Sequence, residues 1–569
     1  MARPVNSSLM KSKKSLKPAA SVLSLLSQKK QSDWLGMLYG PATPDAPSQQ
    51  GAANFLISAL TLEGGAGLLS DPGTGKTIVS MAVLQHFMPK RVLIVAPLTS
   101  LEVTWAKRLR SLYDDIVTSV HDYTGNGVLL IGYEHFRVKK NIKKILKFGF
   151  DFALFDESQG LKTRSSLQSR AVRRLRMTVP MRVILSGTPI DESPIDMWAQ
   201  MRFIAPHVLG DVWAAPRDPR KYEGPYFGEE FCHKAGFMNK QWVFTDKKLP
   251  EFLDRISPYL YRLPNEMEQP EFHEVYTELL GRQRRIYDQM AEHGLVKLND
   301  KKAKAGLKPV RDLRCFQITG GSLKMDDESV EMIGRAKQRR LAWLIKRLEK
   351  PVVFCRFLSE LEDVVDVLGE QFATVRILDG SIKDKKNNKA RTRLIEDFQA
   401  GQVDALAVQA RTGGVSIEFT ASYELVFYSM GYSYIDFQQI IARFRRYGQE
   451  KRVRVYFIIA RDTIDEEPLR RIVSKRETVN PIMDHLRESS MAEAKKVAKK
   501  VAKKAAKAAK KEAVTKAIGV DYLADKHDVS GSAVRAKLRD HNVPKAGKSY
   551  GWDTKAEADK AWAKTQKAA

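Results

Sequence analysis

Cysteine is scarce in this chain: Cys232, Cys315 and Cys355 are the only three in 569 residues, and no two have metal-ligand spacing. That excludes a disulfide framework and a zinc ribbon, and it marks them as ordinary residues of a reducing, cytoplasmic compartment with no catalytic part. Long apolar runs are also missing. The longest, such as Val453 to Ala460, have strand length and fall well short of the ~20 residues a membrane-spanning helix needs. Acidic side chains are absent from the first 32 residues, which carry seven basic ones and many serines. A transit peptide has such a bias, but this stretch has one arginine and a weak amphipathic pattern, which favours a flexible basic arm over residues 1–44. Acids are in deficit throughout, with 67 Asp+Glu against 95 Lys+Arg and a net charge of +28. A polyanion is therefore the leading partner, nucleic acid before a membrane surface. The 43% apolar content suits packed cores rather than a disordered chain.

Short apolar runs alternate with helical patterns in two regions. The first set is Gly67–Ser70, Val92–Ala96, Val128–Ile131, Phe152–Phe155 and Val183–Leu185. The second is Val352–Phe357, Val375–Leu378, Ala405–Val408, Leu425–Tyr428 and Val453–Ile459. Such alternation predicts parallel sheets with helices on both faces. The chain reads as an α/β protein with one lobe over 45–205, a mostly helical insert over 206–340 and a second lobe over 341–490. Residues 491–516 hold ten lysines and two glutamates in a background of alanine, a linker that can also hold phosphates. Residues 517–569 form a small helical unit. Its spacing fits a helix-turn-helix with Ser532, Arg535, Lys537 and Arg539 available to DNA, and fits a generic helical hairpin equally well. Trp552 and Trp562 are candidates for its core.

DPGTGKT, spanning Asp71, Pro72, Gly73, Thr74, Gly75, Lys76 and Thr77, lies between a strand and a helical run. Glycines let backbone N–H groups turn toward a phosphate, and the helix N-terminus favours the anion. Lys76 is placed for the β/γ-phosphates of ATP and the Thr77 hydroxyl for Mg²⁺. Further along, ALFDESQ ends an apolar strand on Asp156 and Glu157, where an α/β sheet places its ligands. The first carboxylate suits Mg²⁺ and the second suits polarising the attacking water.

DPGTGKT, DESQ and SGTP (Ser186 to Pro189) resemble motifs I, II and III of superfamily 2 helicase-like ATPases. VLIVAPLTSLEVTWAKRL (92–109), VLLIGYEHF (128–136) and the whole of 410–466 are similar to segments of the Swi/Snf-type DNA translocases. The likeness covers about 45–205 and 335–470. It implies two RecA-like lobes, ATP and Mg²⁺ as cofactors, and DNA, duplex in form, as partner. It places Gln49 at the adenine-reading glutamine, with Gln50 as the adjacent alternative. It makes Ser186 and Thr188 coupling residues, and matches Gln439, Arg443 and Arg446 to the motif VI glutamine and arginine fingers. Pro97, Leu98, Thr99, Arg356 and Thr412 become candidate DNA contacts. A finger from the opposite lobe neutralises the transferring phosphoryl group, an effect on the order of 10³-fold or more.

The chain departs from the pattern in three ways. Motif II continues Ser-Gln rather than Ala-His, which changes the coupling residue. Ser416 stands where glycine is usual and Glu418 where asparagine is usual, an acid expected to alter coupling to DNA. Chromatin-reading modules are not recognisable, so a compact phage or bacterial type is expected. The function implied is a DNA-dependent ATPase that tracks along duplex DNA by closing and opening two lobes. The alternatives are a strand-separating helicase and, further off, a viral packaging ATPase, an RNA helicase or a non-catalytic scaffold.

Overall fold

A computed structural model of the chain describes residues 33–34, 36–38, 48–162, 166–210, 212–213, 226–236, 241–298, 300–380, 387–410, 418–446, 448–489, 518–541, 543, 551–552 and 555–566. The Lys/Ala-rich stretch 491–516, Thr412 and Ser416 lie outside these residues, as do the side chains of Thr99 and Trp552.

Lobe 1 starts with helix α1 (Gln49–Glu63). Ser48 caps it by accepting from the Gly51 N–H, and Gly64 ends it in the left-handed region. Such caps contribute about 1 kcal/mol each. Strands β1 (Gly65–Ser70), β2 (Arg91–Ala96), β3 (Ile116–Val117), β4 (Gly127–Gly132), β5 (Phe152–Phe155) and β6 (Met181–Ser186) follow, with α2 (Lys76–Phe87) leaving the loop after β1. The five longer strands are apolar over most of their length because the sheet has helices on both faces. A hairpin of β7 (Cys232–Ala235) and β8 (Gln241–Phe244) precedes β9 (Leu260–Leu263). The all-parallel sheet has the order β3-β4-β2-β5-β6-β1-β9.

Lobe 2 opens with β10 (Glu271–Thr277). Hairpins β11 (Leu295–Leu298)/β12 (Lys301–Lys304) and β13 (Ser322–Lys324)/β14 (Val330–Met332) stand among helices Gly281–His293 and Lys308–Gly320. Then come β15 (Val352–Cys355), β16 (Val375–Leu378), β17 (Ala405–Gln409), β18 (Glu424–Phe427) and β19 (Arg454–Ala460). The sheet order is β10-β19-β18-β15-β17-β16, again all parallel. A helix over 466–489 buries Ile472, Val479, Ile482, Met483 and Leu486. It returns to lobe 1, with Lys475 Nζ 3.4 Å from the Asp191 carboxylate.

All ten strand candidates of the two lobes are found. The segment 206–340, set apart by the sequence reading, is divided between the lobes instead. β9 pairs with β1 and β10 with β19, so the crossing from one sheet to the other takes place between Leu263 and Glu271. Both are edge strands, and the charges in Glu271–Thr277 (EFHEVYT) hide β10 from a search for apolar runs. Part of the N-terminal arm is also tied down. Trp34 donates its backbone N–H to Gln85 Oε1 and its Nε1–H to Ser111 Oγ, both at 2.9 Å, and packs with Leu38 on the lobe 1 core.

The C-terminal unit has helices Val520–His527, Gly531–Asp540 and Lys555–Gln566 beside a short antiparallel pair, β20 (Ile518–Gly519) and β21 (Gly551–Trp552). Leu523, Val534, Leu538, Ala558 and Trp562 are its core. The second helix begins one residue earlier than the sequence suggests, because Ser530 caps it by accepting from Ala533 N. Among the described residues no helix is long and apolar enough to cross a membrane.

Candidate nucleotide site

The loop after β1 turns on two glycines in the left-handed region, Gly73 (φ 88°) and Gly75 (φ 91°), a conformation that costs other residues a clash of Cβ with backbone. Lys76 begins α2 and its Nζ donates to Ser70 O at 3.0 Å, across the loop. Thr74 Oγ1 donates to Asp71 O at 2.7 Å, and its own carbonyl accepts from Gln49 Nε2 at 2.9 Å. Of the two adjacent glutamines, Gln49 is the one shown against the phosphate loop. Asp71 differs from its expected part. Its carboxylate faces away from the cradle, to Arg262 Nη2 at 2.5 Å and Asn265 N at 2.8 Å, so its side chain positions the loop rather than lining the cavity.

Asp156 and Glu157 leave the end of β5. The Asp156 carboxylate is buried and accepts from Trp105 Nε1 at 2.9 Å and from Glu157 N at 3.0 Å. Burial first, and then the Glu157 charge, push it up to about 6, against the Trp105 bond and the Lys76 charge. A buried carboxylate held against its own neighbour's charge, beside the Thr77 hydroxyl, gives the hard oxygen ligands and surplus negative charge that Mg²⁺ takes. Trp105 reaches it from a π-helical turn, Leu101–Ala106, a local widening that re-aims side chains and recurs at functional sites. Glu157 itself has φ 51°, an unfavourable backbone for a non-glycine residue that surrounding contacts must impose. Tyr133 imposes it, donating its hydroxyl to the carbonyl of Asp156 at 2.8 Å and of Glu157 at 3.3 Å.

Motif III joins the same network. Gln159 Nε2 donates to Glu157 Oε2 at 2.7 Å, while Gln159 Oε1 accepts from Ser186 Oγ at 2.7 Å. Ser186 Oγ in turn accepts from Thr188 N at 3.1 Å. The glutamine that replaces the usual histidine thus supplies a bridge from the catalytic-type carboxylate to Ser186 and Thr188. An amide has both a donor and an acceptor end, which is what a bridge between a carboxylate and a hydroxyl requires.

Lobe 2 completes the site. A cavity of about 800 Å³ is lined by Gly73, Lys76, Thr77, Asp156 and Glu157 from one side and by Glu418, Gln439, Arg443 and Arg446 from the other. A Cβ placed on Gly73 would meet Arg446 Cγ at 3.2 Å, so the loop and motif VI are in direct approach. Burial first, then the neighbouring Arg446, bring the Arg443 guanidinium down to about 10, with Glu157 and Glu418 pulling it the other way. Arg446 forms an ion pair with Glu418. Glu418, expected at the DNA coupling step, therefore stands among the arginines at the nucleotide cavity. The remaining arginine of the RFRR run, Arg445, holds the connector between the two sheets. It donates Nη2 to Met267 O at 2.6 Å and accepts at its carbonyl from Asn265 Nδ2 at 3.0 Å.

Trp34, Trp105, Tyr133 and Gln159 were not singled out as site residues by sequence. Trp105, Tyr133 and Gln159 stand within the segments that carry the family likeness, and Trp34 lines the cavity from a stretch read as an arm. The candidate DNA contacts are distributed over the two sheets. Pro97 and Leu98 follow β2, with Leu98 exposed, whereas Arg356 follows β15 with its guanidinium over the Phe316 ring at 4.6 Å.

Residues 48–308 match the SNF2-related domain and residues 336–448 the helicase conserved C-terminal domain. An uncharacterized ATP-dependent helicase of Mycoplasma pneumoniae is 25% identical over 452 residues, 73% of this chain and 40% of that protein. A putative ATP-dependent helicase/translocase of Bacillus subtilis is 24% identical over 474 residues, 76% of this chain and 48% of that protein. The chain spans less than half the length of these curated relatives. The Sulfolobus solfataricus SWI2/SNF2 ATPase core solved with dsDNA is 20% identical, covering 80% of this chain and 94% of that one, with a TM-score of 0.36. With the two domains in order along the chain and their motif residues facing each other across one cavity, this protein belongs to the Snf2-type helicase-like proteins.

Proposed function

We propose that the chain is a DNA-dependent ATPase that moves along duplex DNA. The observation that carries this reading is the shared cavity, in which a phosphate loop and two carboxylates of one lobe face Gln439, Arg443 and Arg446 of the other. Groups on separate lobes act on one phosphoryl group only when the lobes meet, so hydrolysis and lobe position become one event.

In this reading Gln49 holds the adenine side of the cradle, and Lys76 moves from Ser70 O to the β/γ-phosphates. Thr77 and Asp156 hold Mg²⁺, whose contribution when bound is to neutralise charge on the phosphates. Glu157, its backbone fixed by Tyr133 and its carboxylate by Gln159, orients the attacking water. Arg443 and Arg446 stabilise the charge that develops as the γ-phosphoryl group leaves. Ser186 and Thr188 pass the position of Glu157 to the rest of lobe 1.

DNA as the partner is supported by the net charge of +28 and by the motif likeness to duplex translocases. Pro97, Leu98, Thr99, Arg356 and Thr412 are its proposed backbone contacts, with the basic segment 491–516 and the C-terminal unit adding affinity. The test is the ATPase rate with no nucleic acid, single strands, duplex and RNA, paired with displacement of a triplex-forming third strand and of a duplex strand. Duplex stimulation with triplex displacement alone supports translocation. Displacement of a paired strand supports a helicase instead, and equal rates with and without any nucleic acid refute both.

A further inference from the structure

Asparagine is usual in the resembled motif where this chain has Glu418, and the side chain's position gives the difference a use. Glu418 Oε1 pairs with Arg446 Nη1 inside the cavity that also holds Lys76, Glu157 and Arg443. The two partners are unequal. The Glu418 side chain is 54% exposed and that of Arg446 is 21%, so the carboxylate can return to water at small cost while the guanidinium cannot. The backbone on each side is fixed. Glu418 O accepts from Gln399 Nε2 at 2.6 Å, Arg446 O accepts from Gln449 N at 2.9 Å, and Arg446 Cγ lies against the Gly73 loop. Only the charged ends have freedom to exchange partners. Arg446 Nε is buried and has no hydrogen-bond partner among the described residues. A guanidinium presents a fork of donors, and the side contact from Glu418 leaves part of it unused. A phosphate, with three oxygens on one centre, can fill Nε and Nη together.

We propose that Glu418 is an internal stand-in for the terminal phosphate of the nucleotide: it holds Arg446 until a triphosphate binds and gives it up only to that. The proposal rests on reading the cavity as the ATP site. Every triphosphate that binds must displace the Glu418 carboxylate from Arg446. A diphosphate lacks the group that takes the arginine over, so with ADP the pair persists. Glu418 thereby lowers the affinity for ATP relative to a neutral side chain, and it keeps the finger from engaging before a γ-phosphate is present.

The test titrates the full chain, with Mg²⁺, against the non-hydrolysable triphosphate AMP-PNP and against ADP. The proteins are the parent, Glu418→Gln, Arg446→Ala and the double variant. Glu418→Gln is expected to bind AMP-PNP roughly two- to fivefold tighter, the range for releasing a partly exposed ion pair, with ADP affinity unchanged from the parent. The gain is expected to vanish in the Arg446→Ala background, because the cycle isolates the pair from the general effect of removing a negative charge. Unchanged AMP-PNP affinity, an equal gain for ADP, or a gain that survives without Arg446 overturns the proposal while leaving the ATP site in place. A parent chain that binds neither nucleotide overturns the site reading and the proposal together.

Discussion

Glu360 offers a quantitative test of how lobe 2 is built beneath a functional loop. It is 1% exposed. One carboxylate oxygen accepts from the N–H groups of Arg356 and Phe357, both at 3.1 Å, and from the Ser429 hydroxyl. The other oxygen faces Gly320 and has no hydrogen-bond partner among the described residues. Burial pushes this carboxyl from 4.5 up to about 7, opposed by the Ser429 bond and the nearby Lys337 charge. A folded pKa above the unfolded one contributes stability that is present below the unfolded value and lost as pH rises through the folded value. The window therefore lies between about 4.5 and 7. Glu360→Gln keeps the accepting oxygen and removes the titration, so the variant gains on the parent by roughly 2–3 kcal/mol between pH 5 and pH 8.5. Any fixed cost of the new amide is the same at both pH values and drops out of the comparison. Thermal unfolding of both proteins at the two pH values reads this directly, at about 2–4 °C per kcal/mol for a lobe of this size. A stability difference that is the same at pH 5 and pH 8.5, or that moves in the parent's favour at high pH, would refute the reasoning.

Lys76→Ala is expected to lose nucleotide affinity and turnover, while Glu157→Gln binds ATP and stalls; turnover retained in Glu157→Gln would remove its water-orienting part. Arg443→Ala is expected to bind ATP nearly as the parent does and to hydrolyse it at least about 10³-fold more slowly at saturating DNA, because a finger acts in the transition state. Gln159→Ala breaks the bridge between Glu157 and Ser186 and is expected to reduce duplex stimulation more than basal hydrolysis. Equal losses in both rates would show the bridge to be structural only. Truncation after residue 490 removes 20 Lys/Arg and nine Asp/Glu. At about 0.9 per neutralised phosphate on duplex DNA, it is expected to flatten the salt dependence of binding by several units. A collapse of turnover at saturating DNA with unchanged affinity would make the tail part of the motor instead.

The strands of both sheet centres and the phosphate loop were legible in the sequence because local pattern suffices for them. Apolar runs must form strands when both sheet faces are covered, and the cradle needs its glycines and lysine in consecutive positions. Gln159 was visible only as a departure from a motif; its bridging use depends on Ser186, 27 residues away, and no local rule links the two. Trp34 lay at the end of a stretch read as a basic arm, and one tryptophan's docking on Gln85 and Ser111 leaves no period to detect. β10 was missed because its edge position carries polar residues, and β9 because it is four residues long and interrupted by Arg262, which also placed the lobe boundary inside a segment read as one insert. Glu418 was noticed as unusual and expected to alter coupling to DNA, but its pairing with Arg446 at the cavity was not legible, since motif order gives sequence position but not which face of the cleft a side chain takes.

The connector between Leu263 and Glu271 is pinned at its middle by Asn265 and Met267 to Arg445, and at its start by Asp71 and Arg262. The crossing of the chain from one sheet to the other thus lies beside the phosphate loop itself. In a lever, displacement grows with distance from the fulcrum, and force grows as that distance shrinks. If the lobes close as proposed, a cavity set next to that crossing would convert shifts of a fraction of an ångström around a phosphate into larger travel in the parts of each lobe farthest from it. The same geometry would run backwards: a load applied far from the crossing would arrive at the phosphates with its force multiplied.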